Sequence, residues 1–154
     1  MLQIVHAHTA EHLSTVRALF LEYAEALGFD LCFQDFDTEL ASLPGEYGPP
    51  RGRLLLAFHD ASEAGCVALR AIDESACEMK RLYIRPACRG LGVGRALAAA
   101  LIDEARKIGY DVMRLDTVPA MTAAIALYES LGFQDIQAYR YNPLKGARFM
   151  ELSL

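Results

Sequence analysis

The stretch IRPACRGLGVGRAL, Ile84–Leu97, sets three glycines at alternate positions, Gly90, Gly92 and Gly94, between Arg89 and Arg95, and runs straight into an apolar, helix-forming segment. A β-rich run ends near Ile84 and a helical pattern begins near Leu91, so the glycines occupy a strand-to-helix turn. The first amides of a helix have no intrahelical acceptor, and the helix dipole is positive there. Bare backbone lets a bulky anion approach those amides closely, and the two arginines add positive charge beside them. A pyrophosphate is the natural guest. The spacing is not a Rossmann G-x-G-x-x-G, because the third glycine comes one residue early, and the Gly-Lys-Ser/Thr of a P-loop is absent.

Outward from this turn the chain reads as alternating elements. LQIVHA is a short first strand, and Thr9 precedes a helix whose apolar residues Leu13, Val16, Leu19, Phe20, Tyr23 and Leu27 recur at three- and four-residue spacing, with Gly28 as its stop. A shorter helix is expected over Phe36–Leu43, followed by the loop PGEYGPPRG. RLLLAFH, GCVALRAI and CEMKRLYI are β-rich runs between polar turns and suggest an antiparallel meander. From Leu91 to Ile108 the positions Val93, Leu97, Leu101, Ala105 and Ile108 make one apolar helix face, which Gly109 ends. VMRLDT is a strand, Met121–Leu131 a helix closed by Gly132, and FQDIQAY and ARFMELSL are the last two strands. The sum is one α/β domain over residues 1–154, with a mixed, mostly antiparallel seven-stranded sheet and about four flanking helices.

Composition bounds the function. At 154 residues, 53% of them hydrophobic, the chain can bury a core without staples. No apolar run approaches the roughly 18 residues of a membrane helix, and the start lacks the charged-then-apolar order of a signal peptide, so a cytoplasmic protein without a membrane partner is expected. Cys32, Cys66, Cys77 and Cys88 form no CxxC pair, and His6, His8 and His12 lack a further ligand nearby, so no metal site is expected. The net charge of −5 argues against a nucleic-acid partner. Its distribution says more: Met79–Arg95 holds five cations and no acid, whereas Ala18–Pro50 holds seven acids and no Lys, Arg or His.

RLYIRPACRGLGVGRAL resembles the acyl-CoA signature of the GNAT superfamily of N-acetyltransferases, whose Arg/Gln-x-x-Gly-x-Gly/Ala motif is met by Arg89, Gly92 and Gly94. AAIALYESLGF, Ala123–Phe133, resembles the same superfamily's helix after the fifth strand. The resemblance implies acetyl-CoA as co-substrate. The backbone of Leu82, Tyr83 and Ile84 would pair with the pantetheine arm as an added strand does, in a slot where a bulge splays the fourth strand from the fifth. The amides of Gly90, Leu91, Gly92, Val93, Gly94 and Arg95, with Arg89, would hold the pyrophosphate. Where many members carry an asparagine seven residues before the helix tyrosine, this chain has Met121.

Acyl transfer to an amine needs a neutral amine, a stabilised oxyanion and a proton donor for the departing thiolate. The resemblance assigns Glu78 as the base, on a strand where Glu78, Lys80, Leu82 and Ile84 share one side if it is regular; the alternative is a strand carboxylate paired with Lys80 or Arg81. Tyr128 follows Ala124 and Ile125 on the apolar helix face, and the resemblance makes its hydroxyl the donor to sulfur; a core tyrosine is the alternative. A backbone N–H near Leu82 would meet the oxyanion. The acids Glu22, Glu25, Asp30, Asp35, Asp37, Glu39 and Glu46 either attract a cationic amine or are solvated helix faces. Glu22, Tyr23, Phe33, Tyr47, Tyr139 and Asn142, with Tyr141, are pocket candidates. The expectation is acetyl transfer to a small, cationic primary amine in a ternary complex; a protein or peptide amine, a non-catalytic acyl-CoA sensor and a homodimer stand beside it as alternatives.

Overall fold

The computed structural model describes residues 1–28 and 35–154, so the pocket candidate Phe33, with Asp30 and Cys32, lies outside the described residues. The elements are β1 (Leu2–His6), α1 (Ala10–Leu27), α2 (Phe36–Ser42), β2 (Arg53–His59), β3 (Ser62–Ala71), β4 (Ala76–Ile84), α3 (Val93–Ile108), β5 (Val112–Thr117), α4 (Thr122–Ser130), β6 (Gln134–Ile136) and β7 (Arg148–Ser153). The expected order holds, though β6 is shorter than the apolar run around it. Thr9 caps α1 by accepting from the His12 amide at 3.0 Å.

The seven strands form one sheet in the order β1-β2-β3-β4-β5-β7-β6, with β4 and β5 its parallel pair and the others antiparallel. Two cores cover its faces. α3 lays Val93, Leu97, Leu101 and Ala105 against Leu55, Val67, Leu69, Met113 and Leu115, and α4 adds Tyr128 to the same side. On the other face α1 and α2 bring Val16, Leu19, Phe20 and Phe36 to Leu54, Leu56, Cys66 and Tyr83. Each fully buried Leu, Ile, Val or Phe contributes roughly 1.5–3 kcal/mol, so both layers fix the sheet firmly.

β4 and β5 stay paired only through Ala76–Val112, Cys77–Met113 and Glu78–Arg114. Beyond those rungs β4 pairs only with β3, and β5 only with β7. A β-bulge accompanies the divergence. Lys80 faces Ala68 and Tyr83 faces Cys66, which leaves Arg81 and Leu82 opposite Val67 alone, and Arg81 has φ of 60°. That left-handed conformation is unfavourable for arginine. It is held from outside the strand: Nε and Nη2 of Arg81 donate to Glu39 of α2 at 2.9 and 3.0 Å, and the guanidinium stands 5.4 Å from the centre of the Phe36 ring.

The bulge corrects the expectation that Glu78, Lys80, Leu82 and Ile84 share one side. Glu78 lies beside Arg70, on the α1/α2 face, whereas Leu82 and Ile84 pack with the core beneath α3. The inserted residue reverses the alternation between them.

Candidate active site

The divergence of β4 from β5 opens a groove of about 540 Å³ lined by Leu82, Tyr83 and Ile84 of β4, by Cys88, Arg89, Gly90, Gly92, Val93 and Gly94 of the turn, and by α4 from Thr122 to Leu127. α3 begins at Val93 with Gly92 as its N-cap and no side chain capping it, so the amides of its first turn are available to a ligand. Gly90 and Gly92 have φ of 79° and 81°, and a Cβ at either would meet nothing within 4 Å. Here glycine serves both the left-handed turn and an unobstructed approach to the amides. A pyrophosphate fits this cradle by charge and by space.

Of the residues expected around that anion, Leu91 and Arg95 do not line the groove. Arg95 instead donates to the Ser130 hydroxyl at 2.6 Å, tying α3 to the end of α4. Arg89 lines the groove while its Nε donates to the Ile84 carbonyl at 3.1 Å, which folds it back over the turn.

A narrow cleft of about 50 Å³ continues inward between the splayed strands, sharing Tyr23, Leu27, Leu82 and Met121 with the groove and adding Lys80, Arg81, Asp116, Thr117, Tyr128, Asn142 and Leu144. Met121 sits at the junction, presenting a thioether there. Tyr128 is 7% exposed, its ring 5.8 Å from that of Phe133, and no described residue hydrogen-bonds its hydroxyl. Burial pushes the Tyr128 phenol up, so it stays protonated and able to donate at neutral pH.

Glu78 is placed differently from the sequence expectation. It lines neither cavity and is fully buried. Arg70 Nε donates to one oxygen at 2.7 Å, and the Tyr139 hydroxyl and Arg140 Nη1 donate to the other at 2.5 and 2.9 Å. Burial pushes its carboxyl up, but Lys80, Arg70 and Arg140 with the Tyr139 hydrogen bond outweigh that and hold it below the usual carboxylate range. A saturated carboxylate of lowered basicity, away from the cleft, is built to anchor the C-terminal loop.

Three acids of the acidic segment are likewise taken by pairing. Glu22 meets Arg85 at 2.8 Å and accepts from the Tyr83 hydroxyl, Glu39 holds Arg81, and Glu46 faces Arg70 at 3.5 Å. Glu22, Glu39 and Glu46 thus answer cations of β3, β4 and the segment after it. Tyr47 is buried and donates to Glu39, and Tyr141 is 73% exposed. Of the pocket candidates, Tyr23 and Asn142 reach the cleft.

Sequence reading missed Asp116. It is the one acid lining either cavity among the described residues, half-buried near the end of β5, and accepts from Asn142 Nδ2 at 3.0 Å. The alternation in VMRLDT, with Met113, Leu115 and Thr117 buried, was the available signal, since it turns Arg114 and Asp116 to the opposite side.

Residues 13–133 match the model of the acetyltransferase (GNAT) family. The chain is 40% identical over 146 residues to an uncharacterized N-acetyltransferase of Schizosaccharomyces pombe, covering 94% of this chain and 90% of that protein. An acetyltransferase structure from Streptococcus agalactiae superposes with a TM-score of 0.80 at 23% identity, covering 99% of this chain and 98% of that one. The PaiA N-acetyltransferase of Thermoplasma acidophilum, solved in complex with coenzyme A, superposes with a TM-score of 0.76 at 18% identity over 100% of this chain and 99% of that one. The last two share the fold.

Proposed function

Because this chain belongs to the acetyltransferase (GNAT) family, we propose that it transfers the acetyl group of acetyl-CoA directly to the primary amine of a small molecule, with both substrates bound together. The observation that carries this reading is the continuity of two cavities: an uncapped helix N-terminus behind open glycines, and an inner cleft holding an unpartnered tyrosine hydroxyl and one carboxylate. The coenzyme A in the Thermoplasma relative supports the cofactor assignment. The narrowness of the inner cleft favours a small acceptor over a protein tail.

Acetyl-CoA supplies the activated thioester; the chain supplies position and proton handling. The amides of Gly90, Gly92, Val93 and Gly94 hold the pyrophosphate, and the backbone of Leu82 to Ile84 pairs with the pantetheine arm, its apolar surroundings including Met121. Asp116, oriented by Asn142, holds the acceptor's ammonium and takes its proton, which the sequence reading had assigned to Glu78. The neutral amine attacks the thioester carbonyl, and a backbone N–H near Leu82 stabilises the oxyanion. The C–N bond forms in that attack; as the carbonyl re-forms the C–S bond breaks, Tyr128 gives its proton to the departing sulfur, and the second proton shed by the acylated nitrogen restores the phenol.

The test is thiol release from acetyl-CoA with pooled small amines, wild type beside Asp116→Asn. Amine-dependent release that falls at least tenfold in the variant, with coenzyme A affinity kept by calorimetry, supports the assignment. Release unchanged by the substitution removes Asp116 from it, and tight acetyl-CoA binding without release from any amine points to a sensor.

A further inference from the structure

The arginines of the central strands have their acids: Arg70 pairs with Glu78, as does Arg140 of the loop before β7, Arg81 with Glu39, and Arg114 with Glu151. Lys80 differs. Its side chain is 8% exposed and it lines the inner cleft, but no described residue accepts a hydrogen bond from it and no described acid lies within 4.0 Å of its ammonium. Glu78, two residues earlier on β4, has both oxygens taken. Burial, with Arg81, Arg140 and Arg70 against Glu78, pushes the Lys80 ammonium down to about 7. Lys80 thus interacts with Glu78 only at longer range, with no hydrogen bond or close ion pair to a described residue at its ammonium, and a ligand anion in the cleft would supply one.

Asp116 lines the same cleft from β5, across the splay. The two strands thus face each other across a single narrow space, with Asp116 on β5 and, on β4, Lys80 beside Arg81, whose guanidinium meets Glu39; Lys80 and Asp116 stand beyond ion-pair distance of each other. A molecule with an ammonium and a carboxylate matches both. A polyamine would set its second ammonium against Lys80, Arg81 and Arg140. A phosphate dianion would set two further negative charges near the Asp116 carboxylate and offer no ammonium to meet it.

We infer that the acceptor is a small amino acid whose carboxylate is received by Lys80 while its reacting amine is held at Asp116. This rests on reading the cleft as an acetyl-acceptor site, and it replaces the cationic acceptor expected from the sequence.

The experiment compares kcat/KM of the full chain with acetyl-CoA for three acceptor sets: the amino acids, their carboxamides, and the matching decarboxylated amines with polyamines. A charge-assisted hydrogen bond supports a preference of at least about tenfold for the best amino acid over its carboxamide. Lys80→Met, which keeps the apolar stem, raises KM for that amino acid at least tenfold more than KM for its carboxamide, with coenzyme A affinity by calorimetry kept. Preferred turnover of carboxamides, amines or polyamines by the wild type overturns the inference, whatever becomes of the variant. An equal loss for amino acid and carboxamide in Lys80→Met overturns it too. Acetyl-CoA bound with amines alone turned over defeats only the carboxylate assignment, whereas no acetyl-CoA binding defeats the acetyltransferase reading as well.

Discussion

Replacing Tyr128 by phenylalanine removes one oxygen from a cleft in which no described side chain bonds to it, so the ring packing against Phe133 survives. We expect kcat to fall by about two orders of magnitude, the range of a lost proton donor. Coenzyme A affinity by calorimetry and the thermal melt should both stay at wild-type values; unchanged kcat returns Tyr128 to the core. Gly92 gives the complementary result. Gly92→Glu puts a carboxylate where the uncapped amides of α3 point and places a side-chain residue at φ of 81°, at a cost of about 1–2 kcal/mol. Since a Cβ there meets nothing within 4 Å, the far-ultraviolet spectrum should be kept while coenzyme A binding is lost. Retained binding sinks the cradle.

Between elements, the link that matters is from α2 to the bulge in β4. Glu39→Ala removes the carboxylate that meets Nε and Nη2 of the buried Arg81, and urea unfolding should show a loss of stability of up to about 3 kcal/mol. The same variant should bind coenzyme A more weakly, because Arg81 precedes the strand backbone that pairs with the pantetheine. This link also marks where sequence reading stopped. The glycine turn, the amphipathic face of α3 and the order of elements were legible because each is written in local spacing. The bulge was not. Arg81 is neither glycine nor proline, and its left-handed φ is held by a residue 42 positions away. Without the bulge, alternation wrongly grouped Glu78 with Leu82 and Ile84. The acidic run misled for the same reason: in the chain it looks like a field, and in three dimensions Glu22, Glu39 and Glu46 face arginines brought to them by the sheet.

For the whole molecule, the charge pairs predict an acid limb to stability. Cations hold Glu78 ionised below its ordinary value of 4.5, so its contribution is present above that pH and lost as pH falls through its native pKa. Thermal melts should show Glu78→Gln less stable than wild type near neutrality, the gap closing on acidification below about 4.5; a gap constant with pH would show that the carboxylate's charge is not what stabilises. No helix among the described residues is long and apolar enough to cross a membrane. The three rungs joining β4 to β5 have a different consequence. They divide the sheet into β1–β4 and β5–β7–β6, each side with its own internal ladder of backbone bonds. We expect the two sides to open with separate free energies in amide hydrogen exchange, although α3 packs on both. A ligand seated across the divide has to slow both sides together, so merging of two exchange populations into one would report occupancy even where no acetyl group is transferred.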